Sequence, residues 1–177
     1  MSKECLNQIS SRRSIRRFSS EPIDERHIND IVKAGFSAPS AGNRQPWRVI
    51  IVTDQDVKNQ LSNAAGGQTF IAKAPVIFVV CGVPEESAQR YKERGKTLYV
   101  LQDTAALTLN ILHAAHMLGF GACWIGAFNE EEVSKILWIP SNMRPVSMIP
   151  VGKIEGNLPE MRPRRNLSEV IIQERFE

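Results

Sequence analysis

Residues 98–118 constrain this chain more than any other stretch. They read as one long helix, yet Leu101, Ala105, Ala106, Leu109, Leu112, Ala115 and Met117 cannot share one narrow stripe. A helix apolar over so much of its circumference has to be covered on several sides. It is therefore expected at the centre of the molecule, with part of its surface open to sharing with a second subunit. One other run makes a comparable demand. Val76-Ile77-Phe78-Val79-Val80-Cys81 is uninterrupted and rich in β-branched residues, and it reads as a strand buried on both faces. The 177 residues, 42% hydrophobic and 23% charged, can fill such a core as one domain.

The remaining elements follow from punctuation and periodicity. Residues 3–10 read as a short helix with Leu6 and Ile9 on one face. A second helix opens at Asp24, its N-cap, and turns Ile28, Ile31, Val32 and Gly35-Phe36 inward. Pro39 ends it, because the residue before a proline avoids the helical region. A polar loop bracketed by prolines, residues 39–47, leads straight into a strand over 48–53. Residues 55–65 are helical until Gly66-Gly67-Gln68 breaks them. Residues 84–96 are polar and are read as a surface crossing. Gly119-Phe120-Gly121 stops the long helix, and residues 122–126 are extended. Asn129 caps a helix over 130–137, with three glutamates where the helix dipole favours them. Pro150 interrupts a strand over 146–151, which points to an edge or a bulge. From about residue 154 to 177 the chain behaves as an arm, with residues 167–172 apolar enough to dock its end, a strand being one way to do so.

The net charge of +3 is too small to argue for nucleic acid, but the basic residues are uneven. Arg12-Arg13-Ser14-Ile15-Arg16-Arg17 is one cluster, and Arg162, Arg164 and Arg165 are another. Guanidinium forks match phosphate oxygens, and two distant clusters that converge make a stronger anion site than either alone. Taken singly, the first cluster reads more readily as a solvated basic turn than as an anion site, and the second has the alternative of a solvated tail. The three widely spaced cysteines, Cys5, Cys81 and Cys123, suit a reducing cytoplasm rather than a disulfide framework. The N-terminus lacks the apolar core of a secretory signal, and no run approaches the length of a membrane span.

Familiar catalytic motifs fail on inspection. Gly119, Gly121 and Gly126 have the wrong spacing for a dinucleotide fingerprint and follow a helix instead of a strand. Gly95-Lys96-Thr97 echoes a phosphate-binding loop, but Arg90 stands where its first glycine belongs. His113 and His116 share a helix face with nothing nearby to complete a metal site. No nucleophile–base relay can be assembled. An inventory good at holding a ligand and poor in acid–base groups fits a cofactor that carries its own chemistry.

Four pieces, in order, carry a resemblance: the Arg/Ser segment at 12–16, the PSAGNRQPW loop at 39–47, CWIGAF at 123–128 and the basic tail at 162–165. With the long helix that begins Gln102-Asp103-Thr104, they resemble the FMN-dependent nitroreductase family over about residues 8–170. The resemblance implies an α+β fold with a mostly antiparallel central sheet flanked by helices. It also implies an intertwined homodimer with two FMN molecules in the interface, each held by both subunits, and a C-terminal arm that wraps the partner.

Residue by residue, Arg12, Ser14 and Arg16 match positions that hold the FMN phosphate and reach the flavin pyrimidine edge, and Arg13 matches a further contact. Pro39, Ser40, Asn43 and Gln45 match the loop given by the second subunit, where amides offer both donor and acceptor. Gln68 matches an amide near the flavin. Gly126 and Ala127 match the backbone that faces flavin N5, with small side chains that leave room for a stacking substrate. Arg162 and Arg164 match basic positions that close on the phosphate, with Arg165 as a substitute for Arg164. The implied activity is an NAD(P)H-dependent, ping-pong oxidoreductase using NADH or NADPH. Its acceptor would be a nitroaromatic, a quinone or a similar small molecule. No catalytic side chain, metal, nucleic acid or membrane is called for. A flavin-binding sensor or carrier without turnover, and a specialised branch such as a reductive dehalogenase, share the same binding residues.

Overall fold

The computed structural model describes residues 2–176. Eleven regular elements follow one another: α1 (Ser2–Ser11), α2 (Glu25–Phe36), β1 (Trp47–Val52), α3 (Gln55–Ala64), α4 (Phe70–Lys73), β2 (Val76–Gly82), α5 (Pro84–Arg94), α6 (Val100–Met117), β3 (Gly121–Ala122), α7 (Glu130–Ile136) and β4 (Arg144–Gly152). The strands form one sheet in the order β1-β2-β4-β3, and every pairing is antiparallel. The fold is α+β, as expected.

The run at 76–81 sits in the interior of the sheet, and every residue of β2 is buried. Side chains alternate across a strand. Val76, Phe78 and Val80 therefore meet Ile31 of α2 and Leu107, Ile111 and Ala115 of α6. Ile77, Val79 and Cys81 meet Leu61 of α3, Ile71 of α4 and Val133 of α7 on the other face. Helix α6 is central on one side only. Leu101, Leu109, Met117 and Leu118 remain exposed, as does Phe36 of α2.

Side-chain caps open three helices, two of them, Asp24 and Asn129, where the sequence puts them. Asp24 accepts from the Arg26 amide at 2.7 Å, Asp54 from Val57 at 2.9 Å, and Asn129 from Glu132 at 3.1 Å. Two helices end in the same double hydrogen bond. After α6, Phe120 N–H donates to Ala115 and Gly119 N–H to His116, with Gly119 at φ 83°. After α7, Ile139 N–H donates to Ser134 and Trp138 N–H to Lys135. There the left-handed position is held by Trp138, at φ 51°, and its ring is 91% exposed.

Four expectations fail. Phe36, expected on the inward face of α2, is exposed. Residues 84–96 are not a plain crossing. Pro84 opens α5 at a position where its missing N–H costs nothing, and a π-helical turn, Gly95–Tyr99, joins it to α6. Pro150 does not mark an edge, since β4 lies between β2 and β3. Its carbonyl accepts from Cys123, so its absent N–H also faces β3, beyond the two residues of that strand that pair. The bulge in β4 lies elsewhere, at Val146, where partners jump from Val80↔Ser147 to Cys81↔Pro145. Residues 167–172 form no strand; Leu167–Glu169 is a 3-10 turn and the whole segment is exposed.

Candidate functional site

The basic segment is pinned by its apolar members. Ile15 and Phe18 are each 3% exposed and pack with Ala74. Ile15 N–H donates to the Ala122 carbonyl at 2.9 Å, Ser14 bridges to Ala122, and Phe18 bridges to Ile154. The segment therefore runs beside the β3 edge of the sheet with Ser14, Arg16 and Arg17 facing outward. Gly121 permits the approach, because a Cβ there would stand 2.7 Å from Ile15 Cγ2.

The chain's two ends converge here. Arg12, Arg13, Ser14 and Arg16 line a cavity of about 560 Å³, and Arg162 and Arg164 line it from the arm. Among the described residues, none of these five guanidiniums forms an ion pair. Arg13 Nη1 donates to the carbonyls of Ser11 and Arg12, and its buried Nε has no partner. The positive field reaches its neighbours. Burial first, then Arg12, holds His113 and His116 below the usual histidine range. Burial raises the Cys123 thiol, while Arg16, Arg12 and a Ser14 hydrogen bond oppose the rise. Ser10, Pro159, Glu160 and Met161 also line the cavity, and no sequence pattern singled them out. Arg17 lines an adjoining cavity of about 350 Å³, and Arg165 lines neither.

Gly126 and Ala127 lie on the same edge, a few residues past Cys123. Both are exposed, and a Cβ added at Gly126 would meet nothing closer than Trp124 Nε1 at 3.9 Å. Gln68 belongs to this neighbourhood through the Asn129 N–H bond to Ala64 at 2.8 Å. Its amide is committed to its own chain, donating to the Ala65 carbonyl at 2.9 Å. Phe70, two residues on, lies under Arg16, with the guanidinium carbon 5.8 Å from the ring centre.

Residues 39–45 are elsewhere. They precede β1, the opposite edge strand, with β2 and β4 between the two groups. The turn Ala41–Asn43 rests on α5 and on the start of α6. Arg44 Nε donates to the Glu86 carbonyl at 3.2 Å, Gly42 is held under Tyr91 and Arg90, and Ala41 N–H donates to Asp103 at 3.0 Å. Ser40 Oγ accepts from the Gln45 amide at 3.0 Å, and Gln45 Nε2 donates to Asn43. A single chain thus gathers Arg12, Arg13, Ser14, Arg16, Arg162 and Arg164 at one edge, with Gln68, Gly126 and Ala127 nearby. It leaves Pro39, Ser40, Asn43 and Gln45 at the other.

The model of the Nitroreductase family matches residues 9–71 and 57–153. The chain belongs to the nitroreductase family. A protein of Archaeoglobus fulgidus provisionally named NADH dehydrogenase/NAD(P)H nitroreductase is 39% identical over 154 residues, 85% of each chain. An FMN reductase [NAD(P)H] of Bacillus subtilis is 30% identical over 162 residues, covering 84% of this nitroreductase-family chain and 65% of its own. Among solved structures, the NADPH:FMN oxidoreductase of Vibrio harveyi complexed with NAD+ superposes with a TM-score of 0.88 at 27% identity. That match spans 97% of this chain and 77% of the other. Among the described residues of this family member, no helix is long and apolar enough to cross a membrane.

Proposed function

We propose that this protein is a cytoplasmic, homodimeric FMN oxidoreductase that takes reducing equivalents from NADH or NADPH and passes them to a nitroaromatic, quinone or similar acceptor. One observation carries the reading: five arginines and Ser14, from residues 12–16 and 162–164, line one cavity, and among the described residues none of the five forms an ion pair. Forked, charge-assisted donors suit a phosphate. Bound FMN supplies the redox chemistry, as hydride acceptor and then as electron donor.

The chain's own groups bind and orient. Arg12, Ser14 and Arg16 grip the phosphate and the pyrimidine edge, with Arg13 beside them and Arg162 and Arg164 closing from the arm. Gly126 and Ala127 turn backbone toward flavin N5, and their small side chains leave stacking room for the nicotinamide and then for the acceptor. Use of one site by both in turn is a ping-pong scheme. Pro39, Ser40, Asn43 and Gln45 complete the site of the second subunit, which accounts for their place at the far sheet edge. Gln68 supports the same region from behind its bond to Ala65. The exposed leucines of α6 and the uncovered arm supply the surfaces that a second copy would bury.

The test begins with the visible spectrum of the purified protein and identification of the cofactor after denaturation. Anaerobic NADH or NADPH should bleach the flavin, and an acceptor should restore it. A colourless protein that FMN cannot reconstitute would sink the reading. Bleaching without recovery would leave a flavin-binding protein without turnover. Arg16→Ala should weaken FMN binding roughly 10-fold or more while the fold persists, since hydrogen bonds to charged groups are worth about 1.5–3 kcal/mol.

A further inference from the structure

Asp103 is a buried carboxylate that the cavity does not use. It is 6% exposed, in the first turn of α6. Burying an ionised group is costly unless it is paired. No cation compensates Asp103 among the described ion pairs. Its Oδ2 is buried with no partner, and its Oδ1 accepts one bond, from the Ala41 amide at 3.0 Å, 62 residues away in sequence.

What that bond holds is unusual. Gly42, Asn43 and Gln45 have φ of 55°, 54° and 50°. Left-handed backbone is natural for glycine and readily adopted by asparagine, but Gln45 adopts it only where the surroundings impose it. Three contacts do so. Ser40 Oγ takes the Gln45 amide, Arg44 reaches the Glu86 carbonyl, and Asp103 takes the Ala41 amide at the start of the turn. Only the last ties the turn to α6, the helix whose exposed leucines the proposed partner would bury.

We propose that Asp103 is a positioning residue for the cofactor: by holding Ala41 against α6 it fixes the turn that presents Asn43 and Gln45 to the FMN of the second subunit. This rests on the flavin reading above. A neutral acceptor could cap the turn, but a carboxylate makes the stronger bond to an N–H and so tolerates less wobble at the amides that follow.

The test uses the full-length dimer and FMN itself. Asp103→Ala should raise the FMN Kd roughly 10-fold. It should also change the visible circular dichroism of the flavin that still binds, because the ring edge loses a fixed partner. Asp103→Asn keeps a carbonyl oxygen for Ala41 but makes the weaker bond, and should fall between Asp103→Ala and the parent in both readouts. An Asp103→Ala protein with parental Kd and parental flavin dichroism overturns the proposal and leaves the flavin reading intact. A parent chain that binds no FMN overturns both. If Asp103→Ala does not fold, amide hydrogen exchange on the parent holoenzyme decides. The Ala41 amide should exchange slowly, and exchange at the rate of an open loop overturns the proposal.

Discussion

Trp138 occupies a place that the chain elsewhere gives to glycine. Gly119 and Trp138 close their helices with the same pair of hydrogen bonds, yet only one of them has a Cβ in the left-handed region. That conformation costs an L-residue roughly 1–2 kcal/mol, and a 91% exposed ring recovers little by packing. Trp138→Gly should therefore raise stability by about 0.5–1 kcal/mol, after allowing for glycine's greater freedom in the unfolded chain. Thermal melting should shift upward by roughly 1–4 °C, with FMN binding unchanged. A lower melting temperature would mean that the ring makes contacts this chain alone does not display. The sequence could not reveal the strain, because nothing about Leu137-Trp138-Ile139 signals which residue takes the positive φ.

Among elements, the short strand β3 matters beyond its two residues. It carries the Arg/Ser segment through Ala122 and the space left by Gly121. Gly121→Ala would place a Cβ against Ile15, costing about 1–3 kcal/mol by overpacking and shifting Ser14 and Arg16 together. Melting and FMN titration should both show the loss; normal FMN affinity would uncouple the strand from the site. Most elements were legible because their signals are local: caps at Asp24 and Asn129, breakers at Gly66 and Gly119, and an unbroken apolar run in β2. Helix α5 was not, because Ser87 is its only fully buried residue and so it prints almost no apolar period. Pro150 misled for a different reason. A proline excludes one hydrogen bond, and whether that bond is needed depends on how long the neighbouring strand runs.

For the whole molecule, periodicity foresaw a crowded α6 but not which side would stay bare. Leu101, Leu109 and Met117 of α6 stay exposed, and Leu167, Ile171 and Phe176 of the arm are likewise exposed. Two of the four motifs, Arg12 to Arg16 and Arg162 with Arg164, line one cavity, and their shared basic character was the signal in the sequence. It could not show that Asp103 meets Ala41, a pairing with no pattern to betray it. The opposed placement of the arginine segment and the 39–45 turn also has a genetic consequence. If each site takes arginines from one subunit and amides from the other, Arg16→Ala and Asn43→Ala lie in different halves of it. Mixed dimers of the two defective chains would then hold one doubly damaged site and one intact site. Co-expression should restore flavin binding to roughly half of the mixed dimers' sites, where neither variant alone binds well. By the same count, a chain carrying one such lesion spoils one site whichever chain it pairs with, so flavin binding should fall only in proportion to the dose of defective chains.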